Sequence, residues 1–415
     1  MIFKDMYKTS TLRIFYFIFY FGLALTTQGK NVQTDSLFYF QQVNALLEQK
    51  KYASAYFMLE EYLEQNGMRP FFACWMVEIG LNNFYRHENY NFFYLKDLDE
   101  QKSTPKLGEA GLRISRLRYP QRILEKIIQD YPGYAPAYKL LGDYFDLQLR
   151  DLSHFDFTSA ATIKSLEEKI FNYYSQAEKH GYKNIQLNRW MGDYYFNRNQ
   201  LELAQEYYLK NVKKPPPDGI SLYRLAEISF QKKSYTQAYN FASEAVKNLL
   251  PEEFYLKYDA LRITAKSLKE LGETQKFVDT IQECVNLLPD VQDAYLDLID
   301  FYKSQQNTVK IAALFREMLL KNPYELEGYR KLESYVIESR NYALADSLFE
   351  IMLLQYENWD EVLANIYWSK GNLAFARHSK AAAQNFWDIS RNYMRRYLPE
   401  NHKLIRQVGS LSEKK

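Results

Sequence analysis

An all-α solenoid of about eight helical hairpins is predicted by three features of this 415-residue sequence. A small residue returns after 34 positions, from Gly192 to Ala226, and the same phase is recovered at Ala265, Ile299 and Glu333. Prolines close the intervals at Pro132, Pro216, Pro251, Pro289 and Pro323, where a ring without an N–H cannot continue a helix. No strand-like alternation competes with the helical pattern. Such a period makes each hairpin bury its apolar face against its neighbours, so the chain grows by stacking rather than around one core.

The elements follow in order. Val43, Tyr52 and Ala55 mark a first hairpin. Ile79 and Gly80 lie on the first helix of the next, whose second helix runs from Pro120 to Tyr131. Tyr138, Leu141, Gly142 and Ala177 mark a third. The clearest copy begins at Asn184 and reads NIQLNRWMGDYYFNRNQLELAQEYYLKNVKKPPPDG. Here Gly192 lets two helices approach closely, while Tyr195, Ala204 and Tyr208 share the buried seam. Four more copies place Ala226 with Ala238 and Ala245, Ala265 with Phe277 and Ile281, Leu298 with Phe315, and Leu332 with Phe349. The solenoid is thus expected over residues 36–358, with 359–415 as capping helices and a basic tail.

Met191, Gly192, Tyr195, Ala204, Tyr208 and Pro216 occupy nearly every consensus place of one repeat, and the run resembles the tetratricopeptide repeat family. The resemblance implies an α-α superhelix that binds other polypeptides along a curved surface and carries no catalytic machinery or cofactor. Some members grip a C-terminal carboxylate with Lys and Asn across adjacent repeats. Lys139 and Asn197 are present here without the full constellation, so that specificity is not carried over.

The phasing predicts which side chains face the groove. Positions three before the small slot place Lys139, Arg189, Tyr223, Arg262 and Arg330 in one row. Cationic tips in a line suit an acidic segment of a partner. The competing reading is local pairing, because Lys139 with Asp143 and Arg189 with Asp193 stand at i,i+4 spacing.

Two intervals exceed the period, and their excess is expected as insertions at about 86–118 and 148–163. Both fall between the two helices of their hairpins and therefore emerge at one edge. They carry His87, Tyr90, Phe92, Phe93, Tyr94, His154, Phe155 and Phe157. Aromatics at this density suit a contact surface. A satellite core over the first hairpins is the alternative.

Lys4, Lys8 and Arg13 precede an apolar run from Ile14 to Leu25, the pattern of a signal peptide over residues 1–29 and too short to span a bilayer comfortably. Export to a bacterial periplasm or envelope is the expected destination, since no N-x-[ST] acceptor occurs either. An uncleaved anchor is the alternative.

Chemistry is scarcely supported. The five histidines show no H-E-x-x-H spacing and the two cysteines no C-x-x-C, so no metal site is predicted. Phosphate-binding, dinucleotide and nucleophile-elbow motifs are missing. With 53 basic against 51 acidic residues, nucleic acid is not an expected partner. The stretch from Trp359 has ten Lys or Arg against five Asp or Glu, which would suit peripheral association with an anionic envelope membrane. The expected function is a non-enzymatic scaffold for a protein partner. A glycan-binding or polysaccharide-export accessory is the alternative, with aromatics stacking on sugars.

Overall fold

A computed structural model describes residues 30–83, 85–86, 93–95, 113–114, 119–153, 159–213 and 215–412. They form an all-α solenoid of helical hairpins divided into two compact units, residues 1–211 and 212–415. In the first unit the hairpins are α1 (Lys30–Glu48) with α2 (Tyr52–Asn66), α3 (Pro70–Asn83) with α4 (Pro120–Asp130), α5 (Ala135–Ser153) with α6 (Ala160–Lys179), and α7 (Ile185–Phe196) with α8 (Leu201–Val212). The second holds α9 (Gly219–Gln231) with α10 (Tyr235–Asn248), α11 (Phe254–Glu270) with α12 (Thr274–Leu287), α13 (Gln292–Ser304) with α14 (Thr308–Lys321), α15 (Leu326–Ser339) with α16 (Tyr342–Gln355), α17 (Asp360–Ala376) with α18 (Lys380–Met394), and a final α19 (Lys403–Ser412). Below, helix A and helix B denote the first and second helix of a hairpin.

Side-chain oxygens start several helices by accepting the orphan first-turn amides. Asn184 accepts from Gln186 N at 2.7 Å, Asp218 from Ser221 N at 2.9 Å, and Asn307 from Lys310 N at 3.1 Å. The turns between helices A and B repeat one backbone device. From Gly192 onward a residue with positive φ lies seven positions after the small slot: Asn199, Lys233, Gly272, Gln306, Arg340 and His378, counted from Gly192, Ala226, Ala265, Ile299, Glu333 and Gly371. At most of these turns the next amide reaches back to the helix end, as Ser234 N does to Ser229 O at 2.8 Å and Ser379 N to Ala374 O at 3.0 Å. This left-handed cap satisfies carbonyls the helix leaves open and reverses the chain in a few residues.

A second device fastens the hairpins that carry glycine in the small slot. A Cβ on Gly142, Gly192 or Gly371 would overlap the ring of Tyr174, Tyr208 or Trp387 on helix B of the same hairpin. The residue after the glycine then takes a hydrogen bond from that ring's polar tip. Tyr174 Oη donates to Asp143 at 2.8 Å, Tyr208 Oη to Asp193 at 2.7 Å, and Trp387 Nε1 to Asn372 at 3.1 Å. Where the slot holds a larger residue, helix B presents Ala242, Ile281, Phe315 or Phe349, all buried and without a polar tip. The glycine is therefore the price of a large ring that hydrogen-bonds. Tyr208→Phe keeps the packing and removes a bond to a carboxylate. A loss of about 1.5–3 kcal/mol is expected, read by urea unfolding of the variant beside Tyr208→Leu, which removes the ring as well.

The long intervals resolve differently from each other. Between α3 and α4 the backbone forms a small antiparallel sheet, β1 (Tyr85–Arg86), β2 (Phe93–Leu95) and β3 (Arg113–Ile114), with Tyr85 opposite Tyr94 and Tyr94 opposite Ile114. The all-α expectation thus acquires a short β ribbon inside the first insertion. In the second long interval much of the excess is helical: α5 continues to Ser153 and α6 begins at Ala160.

Candidate functional site

The predicted cationic row is largely occupied by the protein's own acids. Lys139 on α5 keeps only 8% of its side chain exposed and meets Asp143 at 2.5 Å. Burial opposes its charge, but attraction from Asp143 and, more weakly, from Tyr182 and Glu78 outweighs it and holds the ammonium above the usual lysine range. Tyr223 is buried, with its hydroxyl donating to Glu227 at 3.0 Å. Arg262 on α11 is mostly buried and reaches across to α13, meeting Asp297 at 2.8 Å and Asp293 at 3.1 Å. Lys266 reinforces the same carboxylate at 3.3 Å. Arg189, on α7, is half-buried. Lys139 and Tyr223 thus pair within their own helices, and Arg262 and Lys266 tie α11 to the helix A of the next hairpin.

Arg330 differs. Its side chain is exposed on α15, and among the described residues no ion pair holds it. It lines a cavity of about 180 Å³ formed by α15, α17 and α19, with Glu333, Asn365, Trp368, Ser369 and Gln407 among its walls. Glu333 accepts from Asn372 Nδ2 at 3.0 Å and has no ion-pair partner among the described residues. Burial raises its carboxyl above the usual range, and the opposing influences of Ser369, Asn372 and Arg330 do not cancel that. Ser369 is 1% exposed and stands close enough to Glu333 to favour its charge, yet among the described residues its Oγ makes no hydrogen bond of good geometry. Asn365 spends its Nδ2 on the Tyr324 carbonyl at 3.2 Å.

Of these groups, only Arg330 was predicted. Asn365, Ser369 and Asn372 are polar residues at i, i+4 and i+7 in a helix whose remaining buried positions are mainly apolar. That polar stripe was a readable signal, since a helix face turned to a core seldom spends three positions on amides and hydroxyls.

The aromatic edge cannot be placed in the same detail. Phe93 and Tyr94 lie in β2, whereas Tyr90, Phe92, His154, Phe155 and Phe157, like His87, fall outside the described residues. The N-terminal 29 residues also fall outside them. Among the described residues no helix is long and apolar enough to cross a membrane, and no group of His, Cys, Asp and Glu is arranged to hold a metal. Cys74 and Cys284 are buried and unbridged. Burial pushes the Cys284 thiol up to about 12, so it behaves as a small apolar residue and not a nucleophile.

No family model matches the sequence, and no curated protein matches it. Among solved structures the chain is similar to YrrB, described as a tetratricopeptide repeat protein with an unusual peptide-binding site, at 14% identity and a TM-score of 0.39, over 50% of this chain and 96% of that one. It is also similar to a tetratricopeptide repeat protein from Parabacteroides merdae, at 15% identity and a TM-score of 0.36, over 71% and 91% of the two chains. The C-terminal part of a repeat protein from Cytophaga hutchinsonii aligns at 12% identity and a TM-score of 0.40, over 64% and 98%.

Proposed function

We propose that this protein is a non-enzymatic scaffold that holds a segment of a partner protein against its helix-A side, and that it works in the cell envelope after export. The observation that carries the scaffold reading is the cavity beside Arg330. It opens between two successive helix-A elements, at a position the repeat phasing marks as groove-facing, and among the described residues no ion pair holds the Arg330 guanidinium. Helical repeats present such faces as extended docking surfaces. The reading of location is supported by the basic and apolar pattern of residues 4–25.

Affinity capture from an envelope extract tests both parts. The unaltered protein is expected to retain one polypeptide saturably, and Arg330→Glu to weaken that binding at least tenfold. The basis is a charge-assisted hydrogen bond worth roughly 1.5–3 kcal/mol. Equal retention by the two proteins would move the site away from this face.

A second reading has its own observation. Trp359 is 52% exposed and lies 5.8 Å, ring to ring, from the exposed Tyr324, with Tyr356 at 6.3 Å. Exposed rings in such a group suit sugar faces as well as protein. Soluble glycan competing with the captured polypeptide would favour this reading.

A further inference from the structure

The cavity between α15, α17 and α19 is built for a particular chemistry. Its interior is rich in acceptors. Glu333 brings a carboxylate that accepts from Asn372 Nδ2 and has Ser369 beside it. Asn365 spends one N–H of its amide on the Tyr324 carbonyl, and its carbonyl oxygen is an acceptor with no described partner. The buried Ser369 Oγ stands beside Glu333, and among the described residues it makes no hydrogen bond of good geometry. A buried polar group without a well-formed partner is unfavourable, so a ligand that supplies one is favoured at this place. Trp368 and Tyr329 supply aromatic surface beside these oxygens. An anion would face Glu333, and a plain apolar group would leave the acceptors unanswered. A compact cation with three donors answers all of them.

We propose that this cavity receives a primary ammonium, that of a lysine side chain on the bound partner segment. The inference rests on the scaffold reading and names what that scaffold selects. The lysine stem passes the aromatic wall while its ammonium donates to Glu333, Asn365 and Ser369. On the same wall, Arg330 pairs with an acidic residue next to the lysine and so keeps the added cation from facing an uncompensated guanidinium. The selected motif is a lysine adjacent to an aspartate or glutamate.

Isothermal titration of the full chain with the capped peptide acetyl-Ala-Lys-Glu-Ala-amide tests this directly. The same peptide with ε-acetyllysine or norleucine in place of lysine is expected to bind at least tenfold more weakly, and Glu333→Gln to lose the lysine peptide by a similar factor. Equal affinity for the lysine and acetyllysine peptides, or unchanged binding by Glu333→Gln, would overturn the inference. Binding of free lysine or n-butylammonium as tight as that of the peptide would overturn the assignment to a partner segment.

Unfolding does not confuse the result. A carboxyl whose value is raised in the folded state holds its proton longer there than in the unfolded chain, so stability falls as pH climbs above the ordinary glutamate value of about 4.3. Removing that charge leaves Glu333→Gln at least as stable as the parent at pH 7, a point that thermal melting reads. Arg330→Ala, with Glu333 intact, is expected to abolish the preference for glutamate over glutamine beside the lysine. If the peptides fail while envelope capture persists, this inference falls and the scaffold reading stands. If capture fails while the lysine peptide still binds, the scaffold reading falls and takes with it the assignment to a partner segment, leaving an ammonium site alone.

Discussion

Lys139→Ala is expected to destabilise the first unit by about 3 kcal/mol, the scale measured when one member of a buried ion pair is removed. The ammonium is nearly inaccessible and sits against Asp143, which also accepts from Tyr174 Oη at 2.8 Å. Asp146 lies close enough to Asp143 for the two carboxylates to repel, with Arg150 at 2.9 Å from Asp146 as a more exposed counter-charge. Truncating Lys139 therefore leaves two acids in a protein-lined setting with one cation between them. The cost is a charge without its partner and not the worth of the pair. It follows that Lys139→Met with Asp143→Leu and Tyr174→Phe should recover much of the loss, because the apolar set leaves neither a charge nor the Tyr174 hydroxyl without a partner. The sign of the pH dependence is also set. A lysine raised in the folded state contributes its stability in full below its unfolded value of about 10.4 and loses it only as pH rises through the higher folded value. The difference between Lys139→Ala and the parent should be flat from pH 6 to 9. Urea unfolding with hydrogen exchange across α5 and α6 measures it, and a difference under about 1 kcal/mol would place Lys139 among ordinary surface pairs.

What the sequence revealed, and what it hid, follows from which atoms carry each feature. The 34-residue period was legible because each hairpin repeats the same two helices and turn, and glycine was legible in the slot where helix B lays the ring of Tyr174, Tyr208 or Trp387 against it. The same phase continues to Gly371, 38 positions beyond Glu333, in a stretch expected to be a degenerate cap. The four added residues hid that copy, yet the polar tip of Trp387 meets Asn372 as that of Tyr208 meets Asp193. The left-handed turns could not be read, because Asn199, Lys233, Gln306, Arg340 and His378 share a backbone angle and no side-chain type. For the groove row, spacing predicted that Lys139 and Asp143 could pair, and they do. It did not reveal that Arg262 reaches the next hairpin, 35 residues on, since that depends on how neighbours stagger. The cavity escaped for a related reason. Its walls come from three helices, and no single repeat contains more than part of it.

Trp387→Ala is expected to cost about 3–5 kcal/mol, the range for deleting a large aromatic from a packed site. The ring is 5% exposed, fills the space over Gly371 and lies 5.7 Å from Phe375. A hairpin stack touches mainly its neighbours, so the damage should be local. Amide exchange should accelerate in α17, α18 and α19 while α9 to α12 keep their protection. Uniform acceleration through the second unit would contradict that locality. The indole also does something a hydrocarbon cannot. Its Nε1 donates to Asn372 Oδ1, which orients the amide so that Nδ2 faces Glu333. Trp387 does not line the cavity, but it positions a residue that does. Trp387→Phe separates the two roles. It restores most of the buried ring, so exchange protection should return in large part. It cannot donate, so Asn372 is free to turn and the acceptor geometry around Glu333 loosens. The lysine peptide should then bind to Trp387→Phe several-fold more weakly than to the parent, despite the recovered stability. If affinity returns together with stability, Trp387 acts through packing alone, and the orientation of Asn372 does not depend on the indole.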